Sequence, residues 1–459
     1  MQIQNLKSQM KKHSLFILFV LACVSVCAQT NGTRYVGGDI SALPLYEQHN
    51  SPYKDVKGNN ISNLLTWFVN DCGWNTFRVR IFVNPTQKDQ DGTRNPSVCQ
   101  DLAYVTKLGK RIKDAGAYFM LDFHYSDTWV DAGYIKAPAA WQGKSDDEMA
   151  KALGEYTHDV LTTLKEAGAT PDLVQVGNEI MYGLCGIQVH PYEYNGDNWT
   201  GYLGLLKAGC DTVRSICPDA KIIIHTDRPT NYGYNTYYYQ KLVDGGIDFD
   251  VIGLSYYPFW HGYLTYQQAQ THNKSNYLVS AIQSLATKFP EKEVQIVETA
   301  YYFQYWPTMG KNDTDTRDVW ACSVAGQYNF VKDLVDALKP LNNVTGISYW
   351  FPEEAGNGDD TKEWTDAGKT VLLGWLNRGF WNESPTQSGH AINKTASVSG
   401  TKTAADVCAP YYMKNFYNES TEALEIAKPE APQSRKILRE GRILIERGGS
   451  LYGLDGSRQ

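Results

Sequence analysis

The sequence predicts an α/β fold: a (β/α)8 TIM barrel followed by a short C-terminal extension. Three observations carry this expectation. Short apolar runs alternate with longer amphipathic stretches from Gly37 to Pro352, the rhythm of repeated βα units. Eight such runs can be counted, the number that closes a barrel. Two of them, Val174-Gln175-Val176-Gly177-Asn178-Glu179 and Val294-Gln295-Ile296-Val297-Glu298, end on a carboxyl group, so one parallel barrel turns both carboxyls to the same mouth. A doubly wound open sheet is the competing arrangement, but no glycine-rich phosphate loop follows the first run.

In chain order the expected strands are Gly38-Asp39-Ile40, then 76–82, 117–123 and the run to Glu179, followed by 221–225, 251–256, the run to Glu298, and 346–350. Between them, 62–69, 102–115, 149–167 and 319–338 space apolar residues by three and four, as helices of an outer ring must. The loops 124–141, 181–199, 257–266 and 301–316 carry polar and aromatic residues, and on a barrel they surround the active mouth. After Pro352 the rhythm weakens; the segment through Trp375, Trp381 and Tyr412 is expected to close the last βα unit and pack on the barrel. Three parts follow: an export signal over 1–28, a catalytic barrel over 29–421, and a linker with a short tail over 422–459.

The signal is read from Lys11 and Lys12 ahead of the apolar run 15–22, which is too short to span a bilayer and ends in small residues at Val26-Cys27-Ala28. It implies a periplasmic, cell-surface or secreted protein of a Gram-negative bacterium. The tail, with Lys436–Glu440 and Arg442–Arg447 alternating like strands about a turn, weakly resembles the sorting tails of the type IX export system of Bacteroidetes; a frayed end or a plain hairpin is the alternative. With 43 basic against 50 acidic residues and no basic block, nucleic acid and anionic membranes are excluded as expected partners, and no other segment reads as transmembrane. Without Cys23 and Cys27, seven cysteines remain. An odd number forbids a complete disulfide framework, and Cys210 with Cys217, the nearest pair, is not expected to bridge. The 31 tyrosines and 12 tryptophans exceed what a core requires, which points to flat faces for sugar rings beside ordinary burial.

Two opposed carboxyls at a barrel mouth suit glycoside hydrolysis, one as proton donor and one beneath the sugar ring. Glu179 suits the donor, since Asn178 beside it can hold a sugar 2-hydroxyl and a half-apolar mouth raises its pKa; Glu298 suits the nucleophile. The runs Gly177-Asn178-Glu179-Ile180 and Val297-Glu298-Thr299-Ala300-Tyr301 resemble the fourth- and seventh-strand signatures of the arabinogalactan endo-β-1,4-galactanases, glycoside hydrolase family 53. Gly38-Asp39-Ile40-Ser41, Arg78-Val79-Arg80, the run from Asp122 to Trp129, Pro138-Ala139-Ala140-Trp141 and the run from Ser255 to Gly262 extend the resemblance over 37–381.

The resemblance implies a retaining endo-enzyme acting on β-1,4-galactan, with Glu179 as acid/base and Glu298 as nucleophile. It further implies substrate contacts from Asp39, Arg78 (or Arg80), His124, Asp127, Trp129, Asn178, His225, Tyr256 and Trp350, with Arg78 orienting the nucleophile, Tyr256 bonding to it and Trp350 flooring the cleavage subsite. Many relatives carry a calcium loop after strand seven; here 301–315 lacks that ligand series, so neither a metal nor a cofactor is expected. A monomer acting on a polysaccharide is the resulting expectation. A mannanase or glucanase on the same barrel, and a glycan-binding protein without turnover, are the rival readings.

Overall fold

The computed structural model describes residues 33–48, 52–304, 316–356, 376–383 and 389–417, and the strand segments 364–366, 369–372, 435–439, 442–447 and 450–452. The expected export signal, residues 305–315 of the loop after strand seven, Trp375 and the linker before residue 435 lie outside these residues. Eight parallel strands close a barrel in sequence order: β1 Tyr35–Asp39, β2 Thr76–Ile81, β3 Tyr118–Phe123, β4 Leu173–Val176, β5 Lys221–Thr226, β6 Val251–Ser255, β7 Glu293–Thr299 and β8 Val344–Trp350. β8 pairs back onto β1, with Tyr35 opposite Gly346 and Asp39 opposite Trp350. The expected (β/α)8 architecture is therefore the observed one, with strand ends differing by one to three residues.

Each of the seven crossovers carries a main helix: α1 Leu64–Asn70, α2 Leu102–Asp114, α3 Asp146–Glu166, α4 Trp199–Ile216, α5 Tyr232–Asp244, α6 Leu278–Lys288 and α7 Val324–Leu338. Their starts follow local chemistry. Asn63, Asp101, Asn198, Asn231 and Ser323 each accept a backbone N–H of the first turn. Ser145 forms a reciprocal capping box with Glu148, so α3 begins three residues before the apolar spacing suggested.

Inside the barrel, inward positions split into two levels. Tyr35, Met120, Leu173, Ile223, Val251 and Val297 form a closed apolar plug in the lower part. One or two inward positions further along β1, β3, β5 and β6 the side chains become Asp39, Asp122, His225 and Ser255, and β2 adds Arg78. The plug excludes water from below, so the charged level opens only to the mouth.

After β8, segments Ala355–Gly356, Trp381–Glu383 and His390–Ile392 join Tyr53–Lys54 and Asn60–Ile61 in a five-stranded sheet. Trp381 is fully buried against Tyr53, Trp67 and Phe68, and Tyr412 packs on Tyr328 of α7, as expected of a closing segment. In the tail, Arg435–Arg439 pairs antiparallel with Arg442–Arg447, and Ser450–Tyr452 adds a third strand. Cys210 and Cys217 are buried thiols, not a disulfide. Among the described residues no helix is long and apolar enough to cross a membrane.

Candidate active site

A cavity of about 680 Å³ opens at the C-terminal end of the barrel, and both glutamates line it. Each reaches it for a local reason. β4 stops at Val176 because Gly177 takes φ +91°, where a Cβ would strike Ile180 at 2.6 Å. Glu179 itself is left-handed at φ 48°, a strained conformation for a residue with a side chain, which turns its carboxyl into the mouth. Glu298 is an inward residue of β7, displaced by a register shift where Ser255 of β6 pairs with it.

The two carboxyls have different surroundings. Arg78 holds Glu298 Oε1 at 2.8 Å and also pairs with Asp39 at 2.8 Å and Asp122 at 2.7 Å. The hydroxyl of Tyr257 donates to Glu298 Oε2 at 2.9 Å. Burial pushes the Glu298 pKa up, against the pull of Arg78, so its rise is restrained. Among the described residues Glu179 has no cation in hydrogen-bonding reach. Burial first, and then the Glu298 charge, drive its pKa well above the usual carboxylate range. The pair is thereby split, Glu179 the readier to hold a proton and Glu298 the readier to be ionised.

What Glu179 does have is a neutral donor chain. The Ser255 hydroxyl donates to its Oε1 at 2.6 Å, and His225 Nε2 lies 2.8 Å from that hydroxyl oxygen. Gln175 Nε2 and the Glu179 N–H converge on His225 Nδ1 at 3.0 and 3.3 Å, so the ring proton belongs on Nε2 and is directed to Ser255. Burial and the nearby Arg78 hold the His225 pKa well below its ordinary value, which keeps the ring neutral. Asn178 accepts from Arg78 at 2.8 Å and donates to Val130 O at 2.7 Å, which joins the two sides.

The other expected site residues divide. Trp129, Trp350, His124 and Asn178 line the cavity with the glutamates. His124 takes the Val130 N–H on Nδ1 at 3.0 Å and faces Asp122 with Nε2 at 3.2 Å. Of the two arginines, Arg78 is the one that reaches Glu298; Arg80 is pinned to Asp39 at 3.3 Å between the rings of Trp129 and Phe351, at 4.3 and 4.6 Å. Arg78, Asp39 and His225 are buried and are not among the residues lining the cavity; each bonds to other side chains of the site.

Two expectations are corrected. Tyr256 points outward, packs on Phe330 of α7 and donates to Gly262 O at 2.9 Å; strand parity gives its expected bond to Tyr257. Asp127 lies off the cavity and accepts the Ala139 N–H at 2.8 Å, closing its own loop. Sequence reasoning also missed Ser255, Glu354, Asp227, Arg228 and Arg378. Glu354 and Arg378 pair at 3.4 Å in the wall, with the Arg378 guanidinium 4.1 Å over the Trp350 ring.

Comparison with known proteins points the same way. The model of glycosyl hydrolase family 53 matches residues 35–384. An arabinogalactan endo-beta-1,4-galactanase of Cellvibrio japonicus is 32% identical over 75% of this chain and 87% of its own length. Arabinogalactan endo-beta-1,4-galactanase A of Emericella nidulans is 32% identical over 79% of this chain and 96% of its own. The family 53 catalytic domain of Ignisphaera aggregans superposes with a TM-score of 0.65 at 26% identity, covering 83% of this chain and 96% of that one.

Proposed function

The chain belongs to glycosyl hydrolase family 53, and from that premise we propose that it is a retaining endo-hydrolase of β-1,4-galactosidic bonds in the galactan and type I arabinogalactan side chains of pectin. Endo-β-1,4-galactanase activity is the property carried by the family and by its named relatives. The observation that supports two-carboxyl hydrolysis is the split pair: a carboxyl clamped by Arg78 and Tyr257 in the same cavity as one held by neutral donors.

In this reading Glu179 gives its proton to the glycosidic oxygen as Glu298 attacks the anomeric carbon. The bond to the leaving chain breaks and a glycosyl ester to Glu298 forms. Glu179, now a carboxylate, takes a proton from a water whose oxygen attacks the same carbon, and the Glu298 carboxylate is released. Arg78 and Tyr257 oppose protonation of Glu298, and Ser255 aims Glu179. Asn178 spends one N–H on Val130 O and keeps the second for the sugar 2-hydroxyl. Trp350 and Trp129 supply ring faces. No step calls for a cofactor. The signal-like segment at 11–28 supports export to the periplasm, cell surface or medium.

The test is hydrolysis of linear β-1,4-galactan beside mannan and cellulose, with Glu298→Ala as control and NMR of the first anomer released. Galactan cleavage giving the β-anomer, abolished in the variant, is expected. Preference for another glycan overturns the substrate; an α-anomer as first product overturns the retaining route.

A further inference from the structure

We propose that the wall beyond Glu179 continues into an aromatic track that binds the leaving-group side of the polysaccharide, several sugars past the scissile bond. The inference rests on Glu179 being the proton donor and β-galactan the substrate.

The proton donor must face the glycosidic oxygen, so the departing, reducing-end part of the chain lies on its side of the cleft. Asp227 and Arg228, at the end of β5, stand there and line the same cavity. Asp227 is buried, its Oδ2 held by Arg228 at 3.1 Å, and its Oδ1, buried as well, meets no hydrogen-bond partner among the described residues. Asp227 thereby anchors Arg228 in the cleft wall, where the guanidinium can donate to ligand hydroxyls. Arg228, itself exposed, places its guanidinium 5.6 Å from the Tyr182 ring.

From Tyr182 the surface leads outward. Its ring meets His190 edge-on at 6.2 Å, and His190 lies 4.2 Å from the Tyr194 ring and 5.3 Å from Tyr192. His190 is held from behind, its Nδ1 bonded to Asp197 at 2.6 Å and its N–H to the same carboxylate at 3.0 Å. Tyr192 leans on Tyr234 at 5.5 Å.

Exposure is what separates this cluster from core packing. Among the described residues only six large hydrophobics are exposed, and Tyr192 at 39% and Tyr194 at 57% are two of them, side by side on a braced histidine. Rigid, solvent-facing tyrosine rings joined to a substrate cleft suit the flat faces of a sugar chain, with phenol and imidazole tips for its hydroxyls. A hydrophobic protein partner fits less well, because the rings alternate with Glu193, Asn195 and Asp197.

The experiment uses the full chain and galactohexaose labelled with oxygen-18 at its reducing end, with cleavage positions read by mass spectrometry. Tyr192→Ala with Tyr194→Ala is expected to move cleavage toward the reducing end, since fewer sugars are then held on that side. The ratio of kcat/KM on the hexaose to that on a nitrophenyl β-galactobioside should fall about tenfold. Tyr192→Phe with Tyr194→Phe keeps the rings and is expected to keep the wild-type pattern. Unchanged pattern and ratio in the alanine variant, with galactan still cut, overturn the track. If the wild type cuts no galactan, the substrate reading falls instead, and the same variants test the track on oligomers of whichever glycan is cut.

Discussion

The two carboxyls of the mouth stand on the same kind of scaffold, the tips of two parallel strands, yet their neighbourhoods are built from opposite materials. Around Glu298 the wall from β1 to β3 is ionic: Arg78 gathers Asp39, Asp122 and Glu298, all within 2.8 Å. Around Glu179 the chain that reaches the carboxyl is neutral, running by hydrogen bonds from Gln175 through His225 to Ser255. The contrast teaches that the role of a glutamate is set by what approaches it. A cation favours the carboxylate, whereas a dry pocket with a hydroxyl donor leaves the acid form accessible.

Removing each carboxyl tests this contrast most severely. Glu298→Ala and Glu179→Ala should each lower kcat on galactan by about 10⁴-fold or more. Azide then separates the roles on an aryl β-galactobioside. In Glu298→Ala it attacks in place of the nucleophile and yields the α-glycosyl azide; in Glu179→Ala it attacks the glycosyl ester and yields the β-azide. Identical anomers from both variants would falsify the division of labour.

Arg78→Met comes next, because it removes the cation that three carboxylates share and leaves only Asp39 with another arginine, Arg80. Stability should drop by about 3–5 kcal/mol, read as a lowered melting temperature, and kcat by about 10²-fold. Arg78→Lys restores a charge but not the fork that spans Asp39, Asp122 and Glu298, so it should recover stability better than activity. If Arg78→Met left Glu298 as active as before, the cation would be scaffold only.

How much of this contrast was legible beforehand follows from parity and proximity in sequence. Glu179 and Glu298 were readable because each ends an apolar run, and Arg78 because its neighbours Phe77 and Val79 are strand residues. Tyr257 was missed by one position. Val251 is in the apolar plug, so Gly253, Ser255 and Tyr257 share the inward face and Tyr256 cannot; counting from Val251 would have found it, and Ser255 with it. Asp39 was placed at a sugar because its burial under Arg78 is a tertiary fact. Glu354 and Arg378 come from the segment after β8, where no periodicity marks an inward face. Asp127, in an acidic and aromatic loop, carried the composition of a sugar site but is used by the loop itself.

The finest test of the two walls changes only their hydroxyl donors and reads the two limbs of the pH profile of kcat/KM. In the proposed mechanism activity needs Glu298 ionised and Glu179 protonated, so the acid limb reports Glu298 and the alkaline limb Glu179. Both pKa values lie above the ordinary carboxylate range, Glu179 the more so. The Tyr257 hydroxyl stabilises the Glu298 carboxylate, so in Tyr257→Phe that pKa rises and the acid limb moves to higher pH. The Ser255 hydroxyl does the same for Glu179, so in Ser255→Ala the alkaline limb moves to higher pH and the profile widens. A hydrogen bond to a charged group is worth roughly one pH unit here, about tenfold in rate on the affected limb. Because Ser255 also takes the His225 proton, its loss leaves Nε2 of a neutral imidazole without that acceptor, and the rate at the optimum should fall a few-fold as Glu179 loses its aim. Tyr257→Phe shifting the alkaline limb, or Ser255→Ala the acid one, would show that the walls are not independent and that the pair titrates as a single unit.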